Sequence, residues 1–569
     1  MAFQLSPGVN VSEIDLTTVI PAVATSIGGF VGPFSWGPAG DIITIASEVD
    51  LVTRFGKPNI TGTNYEFWFS AANFLAYGNN LKVVRSLDTA GANNATVNGA
   101  SVLIKSEDDW TNNQQSNADG LYGGFAAKWP GERGNSLLVS MADGGSYAGW
   151  TYASNFTAKP NTSTYVANKG ATNANDEVHV IVVDEDGEFT GTPGQVLETF
   201  PFVSKASDAI DDSGNSNFYK NVIERKSQFI WWLAHPSTAN LGSGTAWGST
   251  ANGTNYKTMT SGNPLLASLT GGSERTPSTA NNQTAWDNFT NKEAVDVSLL
   301  ITGTGSTTLS SYIIDNVAIA RKDCVAFISP EKADAVDNAG SEAADIVAFR
   351  DTLTSTSFAV IDSGYKFQYD KYNDVYRYIP LNGDIAGLCA RTDQERDAWF
   401  SPGGLNRGII KNVVKLAYSP NKTDRDTLYD SGINPVVSFP GEGTVLFGDK
   451  TMLSKPSAFD RINVRRLFIV LEKAISRAAR FSLFEFNDQF TRAQFVALVE
   501  PFLRDVQGRR GITDFRVVCD DTNNTGEIID RNEFVGDIFI KPARSINFIQ
   551  LNFVAVRTGV SFNEVVGSV

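Results

Sequence analysis

The stretch YEFWFSAANFLAYGNNLKVVR, residues 65–85, carries the pattern that decides the fold. Its first part, Tyr65–Leu75, is apolar and aromatic and contains neither Gly nor Pro, which predicts a helix. The part that follows, Leu81–Arg85, has the β-branched character of a strand. Within the compact, apolar residues 21–86, this succession gives a β–α–β rhythm that is typical of α/β layers.

A regular alternation of strands and helices returns from residue 294 onward. The sequence predicts strands at Val295–Ile301 and Cys324–Ile328 and helices at Ser306–Ala320 and Glu342–Thr352. The residues between the two regular parts, 87–293, are rich in Asn, Gly, Ser and Thr and contain short β-like runs such as Val178–Val183. They predict a mainly β, surface-exposed insertion, in which residues 237–288 form a long loop or weakly packed hairpins.

The length of the chain predicts several domains, because 569 residues exceed what one hydrophobic core organises. We expect a multidomain α+β fold with extended terminal arms. Its predicted parts are an amino-terminal arm (1–20), a discontinuous middle domain (21–86 and 294–395), the insertion (87–293) and a carboxy-terminal domain (396–569).

Composition excludes some classes of function. The chain has 62 acidic and 47 basic residues and a net charge of −15, which argues against direct nucleic-acid binding. No run reaches the roughly 18 to 20 apolar residues that span a bilayer, so we expect no membrane insertion. The three cysteines, Cys324, Cys389 and Cys519, are widely spaced and predict buried free thiols in a reducing compartment.

Both ends of the chain have the alternating pattern of strands without an evident partner. In PGVNVSEI, residues 7–14, Val9, Val11, Glu13 and Ile14 belong to a half-buried strand pattern, and no signal peptide precedes them. In SINFIQLNFVAVRTGVSF, residues 545–562, Ile549, Leu551 and Phe553 fall on one face. A lone terminal strand requires a sheet edge from elsewhere to satisfy its backbone groups.

A basic amphipathic helix is predicted over residues 461–481. In NVRRLFIVLEKAISRAARF, residues 463–481, the apolar residues fall on one side and the basic residues on the other. The basic side carries Arg465, Arg466, Lys473, Arg477 and Arg480. Between Lys455 and Arg510 there are 11 basic and 6 acidic residues, although the whole chain is acidic. Charge is therefore segregated along the sequence.

The sequence offers little to support catalysis. His179 and His235 are the only histidines and lie in no metal motif, so each is predicted to be a structural or surface residue. Gly443–Thr451 resembles a phosphate-binding loop but has Asp449 where the pattern requires none, and a tight turn explains it better. We expect no cofactor, no metal and no enzymatic activity.

Two acidic stretches also have structural explanations. Residues 521–532 resemble a calcium loop, but Asn532 stands where a bidentate Glu is required, so a hairpin turn between Val517–Cys519 and Glu533–Ile540 is favoured. Asp393, Glu395 and Asp397 lie in a helical pattern with arginines and predict a solvated face.

Ten blocks, in one order along the chain, resemble the contractile tail sheath proteins of myoviruses, the T-even-like type. They are PGVNVSEID, GFVGPFSWGPAGDI, VDLVTRFGKP, FLAYGNNLKVVR, WPGERGNSLLVS, IPLNGDIAGLCARTDQERDAWFSPGGLNRG, VVSFPGEGTVLFGDKT, INVRRLFIVLEKAISRAARF, FEFNDQFTRAQF and VQGRRGITDFRVVCDDTNN. The resemblance covers both ends and most of the chain and is weakest over residues 87–288.

The resemblance implies a conserved inner α/β domain built from both chain ends, with variable domains that project outward. It implies subunits in stacked hexameric rings around a tail tube, whose contraction drives the tube through the host envelope. It also implies that Pro7–Ile14 and a strand within Ser545–Val556 add to sheets of neighbouring copies. The implied partners are other copies, the tail tube protein, and baseplate and tail terminator proteins, in a virion assembled in the host cytoplasm.

The basic side of the predicted helix suggests a contact with an acidic tube surface. The alternative is that its arginines form pairs within the subunit, with acids such as Glu485, Asp488 and Glu500. Two other functions remain open from sequence alone. A static virion or surface adhesin would need no exchanged arms, and a hydrolase would need a nucleophile with a base nearby.

Overall fold

The computed structural model describes residues 23–59, 62–115, 124–171, 173–237, 241–547 and 549–550. The described chain divides into two compact units. The larger unit contains residues 23–398 and 402–474, and the smaller unit contains residues 399–401 and 475–550. Val9, Val11, Glu13 and Ile14 lie outside the described residues, as do Leu551 and Phe553.

Strands and helices alternate through most of the described chain. The strands are β1 (Gly28–Gly32), β2 (Ile42–Ile45), β3 (Leu81–Arg85), β4 (Phe125–Ala127), β5 (Leu137–Asp143), β6 (Glu177–Asp184), β7 (Gln195–Ser204), β8 (Ile230–Trp232), β9 (Leu265–Ser268), β10 (Leu299–Ile301), β11 (Val325–Ile328), β12 (Ala359–Ile361), β13 (Tyr365–Asp370), β14 (Val375–Pro380), β15 (Lys415–Leu416), β16 (Val436–Phe439), β17 (Gly443–Leu446), β18 (Ile512–Val518) and β19 (Asp537–Pro542). The helices are α1 (Glu48–Phe55), α2 (Asn64–Leu75), α3 (Glu107–Asp109), α4 (Thr164–Asn168), α5 (Tyr219–Lys226), α6 (Thr279–Trp286), α7 (Thr307–Tyr312), α8 (Ile319–Arg321), α9 (Lys332–Ala335), α10 (Glu342–Asp351), α11 (Asn382–Glu395), α12 (Lys422–Asp430), α13 (Ile462–Ala479), α14 (Gln489–Gly508) and α15 (Gly526–Asp530).

The larger unit is built on a six-stranded sheet with the order β12-β11-β10-β1-β3-β2. All neighbouring strands are parallel except β2, which runs antiparallel to β3 at one edge. The five parallel strands are short and mostly apolar and are buried on both faces, as parallel sheets usually are, whereas the edge strand β2 is partly exposed. The helix and the strand predicted within residues 65–85 are confirmed as α2 and β3.

Helix α2 is buried along most of its length and packs closely against α11. At their contact only glycine fits at position 383, because an added Cβ would lie 2.1 Å from the backbone oxygen of Ser70. The hydroxyl of Tyr77, just beyond α2, donates a hydrogen bond of 3.0 Å to Asp384 on α11. Side-chain size and a buried polar contact together fix this helix pair against the sheet.

A buried ion pair joins α11 to the three-stranded sheet of order β14-β13-β15. The Nζ of Lys366 lies 2.9 Å from Oδ1 of Asp384, and both side chains are fully buried. Lys366 also donates to the backbone oxygen of Lys411. Burial raises the pKa of Asp384, and the charge of Lys366 opposes that rise. The two charged groups are therefore held within the packed interior and are not solvated.

The insertion, predicted as mainly β, contains a four-stranded antiparallel sheet of order β7-β6-β5-β9 and the two-stranded pair β4-β8. Its core is distinct from that of the six-stranded sheet. The prediction of weak packing over residues 237–288 is wrong for part of that range. Trp247, Tyr256 and Met259 are buried, and Trp286 at the end of α6 is fully enclosed. The buried aromatic residues are few among many small polar ones, so the composition of this range does not predict its packing.

Arg85 joins the insertion to the six-stranded sheet at the end of β3. Its guanidinium donates to the backbone oxygens of Phe34, Gly37 and Pro130, over 2.7 to 2.9 Å. It also lies 3.2 Å from the carboxylate of Glu274, where the chain leaves the insertion. Burial lowers the pKa of Arg85 to about 10, and Glu274 opposes that shift. One side chain thus ties both connections of the insertion to the sheet.

The smaller unit contains α14, the antiparallel hairpin β18–β19 and α15. Helix α14 packs against β18, and Asp488 caps its first turn by accepting from the backbone N–H of Thr491 over 2.8 Å. The predicted pairing of these two strands is confirmed, with Val518 opposite Asp537, but their connection contains α15 and is not a simple hairpin turn. No helix of the described residues is long and apolar enough to cross a membrane.

We predict that Asp362 makes stability depend on pH. It is buried, accepts hydrogen bonds from Ser329 and from the backbone N–H of Gly364, and burial raises its pKa to about 8. Unfolded Asp ionises near pH 4, so the folded chain holds the extra proton between about pH 4 and about pH 8. The free energy of unfolding should therefore fall as pH rises through this window, by at most ~1.4 kcal/mol per pH unit.

Urea unfolding of the wild type and of Asp362→Asn, at intervals between pH 5 and pH 8, tests this expectation. The Asn variant should lose the slope, whereas Asp315→Asn, which alters an exposed carboxylate of the same unit, should retain it. Parallel stability curves for the wild type and Asp362→Asn would contradict the assignment.

Candidate functional site

The hairpin β18–β19 presents two open sheet edges. Its strands pair with each other from Ile512 opposite Pro542 to Val518 opposite Asp537. Within the described residues neither strand pairs with a third, so each has an outward row of backbone N–H and C=O groups. Such edges are templates for the addition of another strand. The exposed ion pair between Lys541 and Asp514 lies across the two strands at 2.8 Å.

Helix α13 forms where the amphipathic pattern predicts it, but its basic side is not one exposed surface. Arg465 is buried, donates to the hydroxyl of Ser357 at 2.7 and 3.0 Å, and stacks on the rings of Phe358 and Phe459. Burial lowers its pKa to about 10. This side of the helix therefore packs inside the larger unit instead of facing solvent.

Arg466 is committed to a buried ion pair. Its guanidinium lies 2.6 Å from the carboxylate of Asp393 on α11, and both side chains are almost fully enclosed. Burial lowers the pKa of Arg466, but the charge of Asp393, the neighbouring thiol of Cys389 and the hydrogen bond to Asp393 together outweigh that effect, so the pKa rises. The expectation that Asp393 belongs to a solvated face is wrong. A partner 73 residues distant in sequence neutralises it.

The remaining basic residues differ in environment along the helix. The Nζ of Lys473 lies 2.9 Å from Asp296 and 3.7 Å from Asp323, both in the larger unit. Arg477 is half-buried near the end of α13, and Arg480 is exposed in the 3₁₀ turn that follows. Arg465, Arg466 and Lys473 thus have carboxylate or hydroxyl partners inside the chain. Arg480, just beyond the end of the helix, is exposed.

Directly after this turn lies an exposed apolar stretch that sequence analysis did not assign to a surface. The phenylalanine segment, residues 481–490, has four phenylalanines and a leucine that are mostly solvent-exposed: Phe481 (73%), Leu483 (62%), Phe484 (105%), Phe486 (85%) and Phe490 (75%). Exposed apolar patches of several hundred Å² mark interaction sites on soluble proteins. The density of phenylalanine in FSLFEFNDQF is the signal that was available from sequence.

The carboxy-terminal strand pattern begins inside the described residues. Ile549 is exposed and lies in no strand, and the same is true of Ile546. Its predicted role in pairing with another copy stays a prediction, together with the roles of Leu551 and Phe553.

The histidines and cysteines have structural positions. His179 is enclosed by aromatic rings, with Phe156 stacked at 4.1 Å, and its Nδ1 accepts from the backbone N–H of Phe202. His235 lies 2.6 Å from the hydroxyl of Tyr219, and burial lowers its pKa to about 4. The three cysteines are buried free thiols, as predicted.

The two loops that resemble ligand-binding motifs are hairpins and turns. Gly443 opens β17, which pairs with β16, and Lys450 donates to the backbone oxygen of Tyr429. Asp449 pairs with Arg461 at 3.2 Å, so no cradle for phosphate is formed. In the calcium-like loop, Asn524 is buried and bonds to Val535 across the turn. Among the described residues no group of acidic, histidine or cysteine side chains is arranged to hold a metal.

Comparison with known families gives one consistent result. Three family models match the chain: the amino-terminal region of tail sheath domain III over residues 25–85, the phage tail sheath central domain over 275–452, and the phage tail sheath carboxy-terminal domain over 454–555. The tail sheath protein of Vibrio phage KVP40 is 35% identical, over 99% of this chain and 100% of its own length. That of Enterobacteria phage T4 is 34% identical, over 99% of each chain.

Solved structures support the same fold. A sheath tail protein from Listeria innocua has a TM-score of 0.53 at 11% identity, over 92% of this chain and 94% of its own. The helical sheath of the anti-feeding prophage in the contracted state has a TM-score of 0.50 at 14% identity, over 97% of this chain and 99% of its own.

We predict that Arg466 stabilises the fold and that Arg480 does not. Arg466→Met leaves the carboxylate of Asp393 buried without its partner, which should cost about 3–5 kcal/mol. Arg480→Met changes an exposed side chain and should alter the free energy of unfolding by less than ~0.5 kcal/mol. Chemical denaturation followed by circular dichroism measures both. Equal losses in the two variants would contradict the assignment of Arg466 to the packed side of α13.

Proposed function

Because this chain belongs to the phage tail sheath family, we propose that it is the subunit of a contractile sheath that stacks as hexameric rings around a tail tube. On contraction the sheath drives the tube through the host cell envelope. The observation that carries the proposal is the 35% identity to a tail sheath protein over the full length of both chains. The role is structural and needs no cofactor.

The open edges of the hairpin β18–β19 support a mechanism for linking copies. The terminal segments contain strand patterns at Pro7–Ile14 and Ser545–Val556. We propose that these strands leave their own subunit and add to hairpin edges of neighbouring copies, in the mode called β-augmentation. Main-chain hydrogen bonds then hold the subunits together, while the extended arms let each folded unit move relative to the next.

Subunits linked by exchanged strands could change their lattice while each folded unit stays intact. Buried pairs such as Arg466–Asp393 and Lys366–Asp384 hold elements of the larger unit together. We propose that the sheath assembles in an extended lattice and relaxes to a shorter, wider one after a signal from the baseplate. The work comes from the difference in free energy between two sets of intersubunit contacts, and nucleotide hydrolysis is not involved.

We place the tube contact at the exposed end of α13. Arg480 is exposed and Arg477, one turn earlier, is half-buried, while Arg465, Arg466 and Lys473 lie in the larger unit. An acidic tube surface would attract these side chains through screened interactions of about 0–1 kcal/mol each. Attraction of that size sets register without locking the tube in place.

The remaining partners follow from the proposed place in the virion. Baseplate and tail terminator proteins would meet the two ends of the sheath, and assembly would take place in the host cytoplasm. Direct binding to nucleic acid is not expected, because the chain is acidic overall and the proposed sheath surrounds the tube.

Removal of residues 1–18 should abolish assembly and leave the fold intact. The full-length protein is expected to form striated hollow tubes or stacked rings in electron micrographs, whereas the truncated protein stays folded and monomeric. Circular dichroism of both proteins provides the control for folding. Assembly of the truncated protein at the wild-type level would show that the first strand is not an intersubunit tether; if neither protein assembles alone, the comparison is repeated on purified tail tubes.

Charge reversal at Arg480 tests the tube contact. Arg480→Glu should weaken sheath formation on tail tubes and leave the free energy of unfolding unchanged, since this side chain is exposed. The matched control is Arg54→Glu, which reverses a half-exposed arginine on α1 of the larger unit. Co-sedimentation with purified tubes at two salt concentrations provides the measurement. Equal binding by the wild type and Arg480→Glu at low salt would exclude Arg480 from the tube contact.

A further inference from the structure

A second aromatic surface lies on the larger unit, on the outer face of the sheet β14-β13-β15. This tyrosine face consists of Phe367, Tyr369, Tyr376, Tyr378 and Lys415. The rings of Phe367 and Tyr376 stack at 5.4 Å, and those of Tyr369 and Tyr376 lie 5.2 Å apart. Tyr369 and Tyr376 are 43% and 56% exposed. The face is a preformed platform, since its rings are ordered against one another on paired strands.

The platform carries the positive charge of Lys415 on one side, and near the turn between β13 and β14 the hydroxyl of Tyr369 donates to the carboxylate of Asp374. The ammonium of Lys415 lies 5.0 Å from the ring centre of Phe367 and 5.9 Å from that of Tyr378. Residue 415 pairs with residue 367, so the lysine flanks the rings from the edge strand β15. Among the described side chains no carboxylate pairs with Lys415. A partner that covers the rings must therefore accommodate a cation.

The phenylalanine segment has the complementary composition. Among its exposed phenylalanines it carries Glu485 and Asp488. Asp488 is occupied in capping α14, whereas Glu485 has no cationic partner within the described part of the chain. Phe484 is fully exposed and has a φ of +71°, a left-handed backbone conformation that is costly for a bulky side chain. The free-energy cost of this strained backbone would be offset if a partner buried the exposed ring.

We propose that the phenylalanine segment of one copy docks on the tyrosine face of a second copy, with Glu485 opposite Lys415. Both surfaces are aromatic, and the unpaired charges of Lys415 and Glu485 are opposite, so docking would bury exposed rings and pair these two charges. Four phenylalanines of the usual 150–250 Å² give several hundred Å² to bury, the scale of one side of a specific interface.

The proposed contact joins two different surfaces of the same chain. Heterologous contacts of this kind propagate into rings or helical filaments rather than closing as dimers. The inference therefore deepens the proposed sheath function and rests on it, because it names a contact between copies in addition to strand exchange. Its residues are separate from the terminal arms and from the hairpin edges, so the two contacts can be tested apart.

Cross-linking between two separately purified variants tests the contact directly. Full-length protein with Phe484→Cys is mixed with tagged full-length protein carrying Tyr376→Cys, and a short bis-maleimide is added before and after assembly. We expect a cross-linked pair that contains one tagged and one untagged chain, because the native cysteines are buried. The matched control replaces Tyr376→Cys by Val49→Cys, at a position 74% exposed in the same unit, and should give no such pair.

A charge exchange provides the second measurement. Glu485→Lys and Lys415→Glu should each lower the polymerised fraction about tenfold, by placing like charges together. The double variant should recover most of the loss, since the pair is restored with opposite polarity. Glu293→Lys, which reverses an exposed acid elsewhere, should polymerise like the wild type.

The outcomes separate this contact from the proposed function as a whole. Wild-type polymers in electron micrographs without the cross-link, or single reversals that polymerise normally, overturn the contact and leave the sheath function standing. Failure of the wild type to polymerise, alone and on tail tubes, refutes the sheath function instead. In that case absence of the cross-link in concentrated solution overturns the contact as well.

Discussion

Buried cations paired with carboxylates from distant parts of the sequence hold the larger unit together. Arg85 joins the two connections of the insertion, Lys366 joins the three-stranded sheet to α11, and Arg466 joins α13 to the same helix. A charge in the protein interior is tolerated only when it is paired and hydrogen-bonded, so each of these side chains fixes the positions of its partners. These contacts tie the elements that meet at them to one another, which fits the rigid subunit that the proposed sheath function requires.

The sequence predicts the elements of this unit better than their surroundings. Helix α2, strand β3 and helix α13 follow from apolar periodicity, which depends on neighbours within a few residues. The same periodicity places Arg465 and Arg466 on a polar side but does not reveal that this side packs against Ser357 and Asp393. These partners lie 108 and 73 residues away in sequence, beyond the reach of a local pattern.

The phenylalanine segment was missed for the opposite reason. A dense group of aromatic residues normally predicts a core, and that expectation assumes a chain that folds and functions alone. In a polymer, clustered aromatic residues can be buried between copies, so a single copy leaves part of its apolar surface exposed. The hairpin β18–β19 likewise leaves backbone hydrogen-bonding groups for contacts between copies, because its edges pair with no third strand among the described residues.

The order of strands in the six-stranded sheet also bears on how the chain is made. Strand β1 pairs with β3 and with β10, yet residues 86–298 separate β3 from β10 in sequence. At ~5–20 residues per second, a ribosome needs ~10–40 s to synthesise that interval. During this time β1 lacks one of its two neighbours, and the insertion, with a core of its own, can fold first. Synthesis therefore favours a sequence of events in which the insertion is complete before the sheet that carries it.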